Sequence, residues 1–163
     1  MNGDTRLYEI LDRLNIQYQY EEHPEAPTIE IAKKYWKDID AKHCKNLFFR
    51  NHKGNQHYLV LLDCDQNMDI HHIEKILKQG KLSFASPERM MKYLGVTPGS
   101  VTPFGLINDT THHVIVFIDS KLQTAERLSF HPCINTASLV INRNDLIKFL
   151  EHHQNSYQWI DLY

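Results

Sequence analysis

Five consecutive apolar residues, Val114-Ile115-Val116-Phe117-Ile118, constrain the fold more than any other feature of this chain. The run is the length of one strand, and without polar alternation that strand has to be covered on both faces. Ala137 to Ile141 reads the same way. Helical periodicity appears between such strands. Asp4 caps a first helix with Leu7, Ile10, Leu11 and Leu14 on one face, and a second helix starts near Thr28, after breaks at Pro24 and Pro27, and runs to about Trp36. A third spans about Asp69 to Leu77 with Gly80 just past its end. Ser86 caps a fourth with Pro87 at its first position and Gly95 closing it. A fifth starts at Asn142 or Asn144 and runs to about His153.

Strands are expected at Gln17–Tyr20, Lys45–Arg50, His57–Leu62 and Leu82–Ala85, and Gly54 takes the left-handed position of the hairpin joining the second and third. The segment from Val96 to Gly105, with its prolines and glycines, reads as a shaped loop. Tyr157 to Ile160 is left as a tail. Strands and helices are interspersed with hairpins rather than in strict alternation. The expected class is therefore α+β, a mixed sheet with helices outside it, in one domain over residues 1–163 with a core at about 4–153.

Charge and cysteine content narrow the function. A net charge of −2 argues against a general nucleic-acid coat protein but leaves room for a local basic face. Lys75, Lys78, Lys81, Arg89 and Lys92 could form one, or could be scattered, solvated helix lysines. Cys44, Cys64 and Cys133 form no C-x-x-C and read as reduced thiols. No apolar run reaches the ~20 residues of a membrane helix, and the acidic, amphipathic start is unlike a signal peptide, so a cytoplasmic protein is expected. No nucleotide-binding glycine motif occurs.

Three places could carry chemistry. Lys45 opens an apolar strand, where its ammonium could hold a phosphate or simply guard a sheet edge. The loop around Gly99-Ser100-Val101-Thr102-Pro103 could turn backbone amides toward a small pocket, or be a connector. Phe130-His131-Pro132-Cys133-Ile134-Asn135-Thr136 combines an imidazole, a thiol, an amide and a hydroxyl. His131 could orient a carbonyl or a water, and the same residues could simply tie down a turn. Cys133, two residues from His131, could share its face, but no third group completes a Cys–His hydrolase. The histidine pairs at 71–72, 112–113 and 152–153 point apart on any regular element, so no metal site is expected.

Taken together, Lys45-Asn46-Leu47-Phe48 with the following hairpin, Gly95 to Leu106, and Phe130-His131-Pro132 with Asn135-Thr136-Ala137 resemble the prolyl-tRNA-synthetase-associated editing (YbaK-like) family. Within it the chain looks most like the free-standing alanyl-tRNA(Pro) deacylases. That resemblance implies a mixed, barrel-like sheet wrapped by helices, and hydrolysis of the ester joining alanine to the terminal adenosine of tRNA(Pro). It assigns catalysis to Lys45, His131, Gly99 and Pro103, and substrate binding to Asn46, Ser100, Val101, Thr102, Asn135 and Thr136. It further implies no metal or organic cofactor, and tRNA as partner with prolyl-tRNA synthetase as a second candidate; a monomer is expected because no heptad seam or long apolar edge is visible in the sequence. The same motifs serve relatives that remove cysteine, serine or threonine. A non-catalytic module that binds aminoacyl-tRNA or the synthetase is the rival from another class.

Overall fold

The computed structural model describes residues 1–26 and 28–163, so the break expected at Pro27 lies outside the described residues. Five α-helices follow the capping signals. Helix α1 (Thr5–Arg13) starts where the Asp4 carboxylate accepts the Arg6 N–H at 3.0 Å, and it buries Leu7 and Leu11 completely. Thr28 caps α2 (Ile29–Trp36), Asp69 caps α3 (Ile70–Leu77) and Ser86 caps α4 (Pro87–Leu94), each through its side-chain oxygen. Asn142 precedes α5 (Arg143–His152) without a side-chain cap bond. Lys78, not Gly80, takes the left-handed position that ends α3, because its N–H is the one that reaches back to the Glu74 carbonyl.

Eight strands form one mixed sheet: β1 (Gln19–Glu22), β2 (Lys42–Arg50), β3 (His57–Asp63), β4 (Ser83–Phe84), β5 (Ile115–Asp119), β6 (Arg127–Phe130), β7 (Ala137–Asn142) and β8 (Tyr157–Ile160). Their order is β1-β7-β6-β2-β3-β5-β8, with β4 added on β2. The path is open, with β1 and β8 at its ends. Neighbours β2/β6, β3/β5 and β5/β8 are parallel, and the others antiparallel.

Alternation along β3 and β5 divides the core in two. Leu59, Leu61, Val116 and Ile118 enter a large cluster with α1, α5 and Phe104, while Tyr58, Val60, Leu62 and Phe117 enter a smaller one with Ile73 of α3. Both faces of the apolar run are thus covered. Two strands were not expected from sequence: β6, and β8, which converts the anticipated tail into a parallel neighbour of β5. The first strand lies two residues later than expected, and the loop after α4 ends in a 3₁₀ turn, Pro103–Asn108.

Asp109 closes that turn and anchors β5. Buried at 5% exposure, it accepts the N–H of His113 (3.1 Å) and Val114 (2.8 Å) and the Asn155 amide (2.9 Å), and Asn155 also donates to the Val114 carbonyl. Asp109→Ala leaves those donors unpaired. It should cost about 3 kcal/mol, read as a fall of roughly 10 °C in Tm.

Candidate functional site

Strand β2 keeps β3 on one edge from Cys44 to Arg50, but its other edge changes partner. It meets β6 at Lys42 and His43, and β4 at Phe49 and Arg50. Between those pairings no strand among the described residues covers β2, and a cleft of about 220 Å³ opens there. Lys45, Asn46 and Cys44 supply its floor. Gly99 and Val101 come from the loop after α4, His131 from the end of β6, His23 from the end of β1, and Ala26, Thr28, Ile29, Ala32 and Trp36 from α2 and its approach.

The sequence-predicted residues divide into those the cleft collects and those it does not. Lys45, Asn46, Gly99, Val101 and His131 line it. Lys45 donates from Nζ to the neutral Asn67 Oδ1 at 2.8 Å and forms no ion pair among the described residues, although Asp65, itself paired to Lys33, lies near enough to feel its charge. Asn46 donates from Nδ2 to the Val101 carbonyl at 3.1 Å, which ties the loop to β2, while its Oδ1 is buried without a partner. Ser100, Thr102 and Pro103 are buried in the loop's frame instead, outside the lining. Thr102 Oγ1 accepts the Phe104 N–H (3.3 Å) and Pro103 opens the 3₁₀ turn, so they shape the loop.

Gly99 has φ +92°, and the nearest neighbour to a side chain there would be Asn135 Nδ2 at 3.8 Å. Asn135 in turn donates to Glu25 Oε1 at 2.9 Å, bridging the loop before α2 to the segment after β6 at the cleft's rim. Thr136 contributes its carbonyl, which accepts the His23 N–H at 2.9 Å.

His131 donates Nδ1–H to the Ala137 carbonyl at 2.8 Å, which leaves Nε2 as the ring's acceptor. Burial outweighs that bond and lowers its pKa from the ordinary imidazole value. His23, which no sequence pattern singled out, has its ring centroid 6.1 Å from that of His131. Its Nδ1 engages the Pro24 carbonyl (2.9 Å) and its Nε2 the Ser138 hydroxyl (3.0 Å). Only the pairing of β1 with β7 brings Ser138 to it.

Behind the cleft, Trp36 stacks face to face on His43, centroids 4.3 Å apart and planes within 2°. Burial pushes the His43 pKa down to about 4.

No thiol is poised for attack. Burial drives Cys44 far up, and Cys133, at φ +66° and outside the cleft, is raised to about 12, again by burial. The thiolate needed for nucleophilic catalysis is thus disfavoured at both. Among the described residues, the one grouping with metal-ligand spacing is Asp63-Cys64-Asp65, outside the cleft. Its two carboxylates are already ion-paired, to Lys42 (3.0 Å) and to Lys33.

Comparison with known proteins places the chain in a family. A family model described as the aminoacyl-tRNA editing domain matches residues 23–149. The chain is 40% identical over 166 residues to the prolyl-tRNA editing protein ProX of Acetoanaerobium sticklandii, with 99% of each covered. It is 31% identical over 152 residues to prolyl-tRNA synthetase associated domain-containing protein 1 of Danio rerio, covering 92% of this chain and 82% of the relative. A solved structure provisionally described as a trans-editing enzyme for prolyl-tRNA synthetase superposes with TM-score 0.74 at 19% identity, covering 99% of this chain and 98% of that one. At that identity the likeness is one of fold.

The buried histidines predict an acid-sensitive structure. His43 and His131 have folded pKa values below the unfolded 6.5, so between the two values the unfolded chain binds more protons. Stability should be full above pH 6.5 and fall as pH drops toward 4. His43→Phe, which keeps the stack on Trp36, should flatten that slope in urea titrations from pH 7 to 4.5.

Proposed function

The chain belongs to the aminoacyl-tRNA editing family and is an aminoacyl-tRNA deacylase, and we propose that it acts in trans on mischarged tRNA(Pro), removing alanine. The observation that carries the proposal is the convergence of Lys45, Asn46, Gly99, Val101 and His131 on one small cleft. Its volume lies below the ~300–1,000 Å³ of drug-sized sites, which suits an aminoacyl end rather than a whole nucleotide. The names of the relatives, a prolyl-tRNA editing protein and a prolyl-tRNA synthetase associated protein, support tRNA(Pro) as the carrier.

On this reading Lys45, the one cationic side chain in the lining, anchors the terminal phosphate as a point charge. Amides of the Gly99–Val101 loop polarise the ester carbonyl. Asn46 holds the Val101 carbonyl through Nδ2 and so fixes that loop against the substrate's aminoacyl end. His131, kept neutral by burial, shapes the amino-acid pocket and offers Nε2 as an acceptor. An aminoacyl ester is already activated, and the vicinal ribose hydroxyl can position the attacking water, so hydrolysis here needs orientation more than a protein nucleophile. The wall of Ile29, Ala32 and Trp36 admits a methyl group and rejects proline by clash, a stronger discriminator than lost contact.

Deacylation of alanyl-, cysteinyl-, seryl- and prolyl-tRNA(Pro), with alanyl-tRNA(Ala) alongside, tests the proposal. Rapid loss of alanine from tRNA(Pro) with the prolyl ester spared is expected. Preference for cysteinyl or seryl ester would reassign the pocket, and tRNA binding without hydrolysis of any ester would make the chain a binding module. Lys45→Ala should lower kcat/KM by roughly 10- to 150-fold, the loss of one charge-assisted contact of about 1.5–3 kcal/mol. An unchanged rate would remove Lys45 from the site.

A further inference from the structure

We infer that the closed end of the β2–β3 hairpin is a second phosphate-binding site, taking backbone phosphate of the tRNA outside the cleft. The source of that phosphate rests on the tRNA reading above; the site itself rests on its charges. Arg50, at the end of β2, and Arg89, in the first turns of α4, converge on Gly54 in the hairpin loop. A side chain at Gly54 would meet Arg89 Nη2 at 3.0 Å, Arg89 Nη1 at 3.3 Å and Arg50 Nη1 at 3.5 Å. The two guanidiniums thus approach each other over a residue that, with φ +72° and no side chain, leaves the space between them open.

Every acceptor these arginines use is neutral. Arg89 Nη1 donates to the Gly54 carbonyl and to His57 Nε2, both at 2.9 Å, and Arg50 Nη1 to the carbonyls of Asn51 (3.4 Å) and His52 (3.3 Å). Among the described residues no carboxylate lies within 4.0 Å of Arg50, Arg89 or the nearby Lys53 and Lys92. The histidine between them adds no compensation. His57 is fully buried and accepts from Arg89, so its Nδ1–H goes to His113 Nε2 at 2.9 Å. Burial, with the charges of Arg89, Lys92 and Arg50 around it, holds it neutral. Like charges gathered without a counter-ion repel, and a phosphate, matched by the guanidinium fork, relieves that repulsion.

Arg50 stands five residues along β2 from Lys45, about 16–17 Å at the rise of a strand. The odd offset turns the two side chains to opposite faces of the sheet, so only a polynucleotide long enough to round the bare edge of β2, and not its last nucleotides alone, can place phosphates on both. Free inorganic phosphate shares the chemistry but not that span.

The test is equilibrium binding of uncharged tRNA and of its 3′-terminal trinucleotide to the full chain, from 50 to 200 mM salt. The proteins compared are wild type, Arg50→Gln and Arg89→Lys, with Tm confirming that each folds. Arg50→Gln should weaken tRNA binding severalfold at low salt and reduce the slope of log K against log salt by about one. Its affinity for the trinucleotide should equal that of wild type. Arg89→Lys keeps the charge but loses the fork and should fall between the two. An unchanged slope for tRNA, or equal weakening for both ligands, overturns the site. So does a Tm rise with inorganic phosphate that Arg50→Gln abolishes while tRNA affinity stays unchanged. Ester cleavage plays no part in the readout, so failure of the deacylase reading and failure of this site are separate results.

Discussion

The divided edge of β2 is the constraint on which the rest of the molecule depends. Its β3 edge is paired from Cys44 to Arg50 and holds the strand rigid. On the opposite edge β6 reaches only Lys42 and His43, and β4 only Phe49 and Arg50. The chain after Phe130 shows why β6 stops: Pro132 cannot donate to a ladder, and Cys133 turns into the left-handed region at φ +66°. The stretch left bare is then served by side chains and a loop, with the Asn46 amide holding the Val101 carbonyl where a strand would otherwise run. Crevices at points where strand partners change are where open α/β sheets bind ligands, and the same logic holds in this mixed sheet.

Electrostatics bear on what that gap can hold. Of the residues lining it, Lys45 alone carries a fixed charge, and its partner Asn67 is neutral. His131 is kept neutral by burial. Among the described residues no carboxylate lines the cleft; the nearby Glu25 is engaged by Asn135 at the rim. On the proposed function, a cation without an ion-pair partner in the cleft favours an anionic group, and the apolar wall from α2 makes size the other criterion.

Much of this was legible in the sequence, and the gaps have physical causes. Caps are local, so Asp4, Thr28, Asp69 and Ser86 located four helix starts to within a residue. β8 escaped because Tyr157, Trp159 and Ile160 are only half-buried, so its apolar content is that of a surface segment until β5 lies beside it. β6 escaped because Arg127 and Ser129 dilute its apolar content, and Ser129 becomes buried only once β2 and β7 flank it. Lys45 and the Gly99 loop announced themselves by residue type, but Ser100, Thr102 and Pro103 turned inward, since alternate residues of a tight loop cannot all face one ligand. His23 carried no motif at all; its place depends on β1 pairing with β7, a contact across more than a hundred residues.

The loop's rigidity links the fold to the chemistry proposed for it. Gly95 ends α4 at φ +64°, and Asn108, at the far end of the 3₁₀ turn, donates back to the Leu94 carbonyl at 3.0 Å. Gly105 packs against that same carbonyl so closely that a Cβ would stand 2.7 Å from it. The segment from Gly95 to Asn108 is therefore pinned at both ends to the last residue of α4 and, at Val101, to β2. A site without a poised nucleophile has orientation as its main lever, and misplacement of an ångström forfeits it. On the proposed mechanism the glycines at 95 and 105 bear on catalysis without approaching the cleft, because they allow the backbone contacts that set where the Gly99 and Val101 amides point.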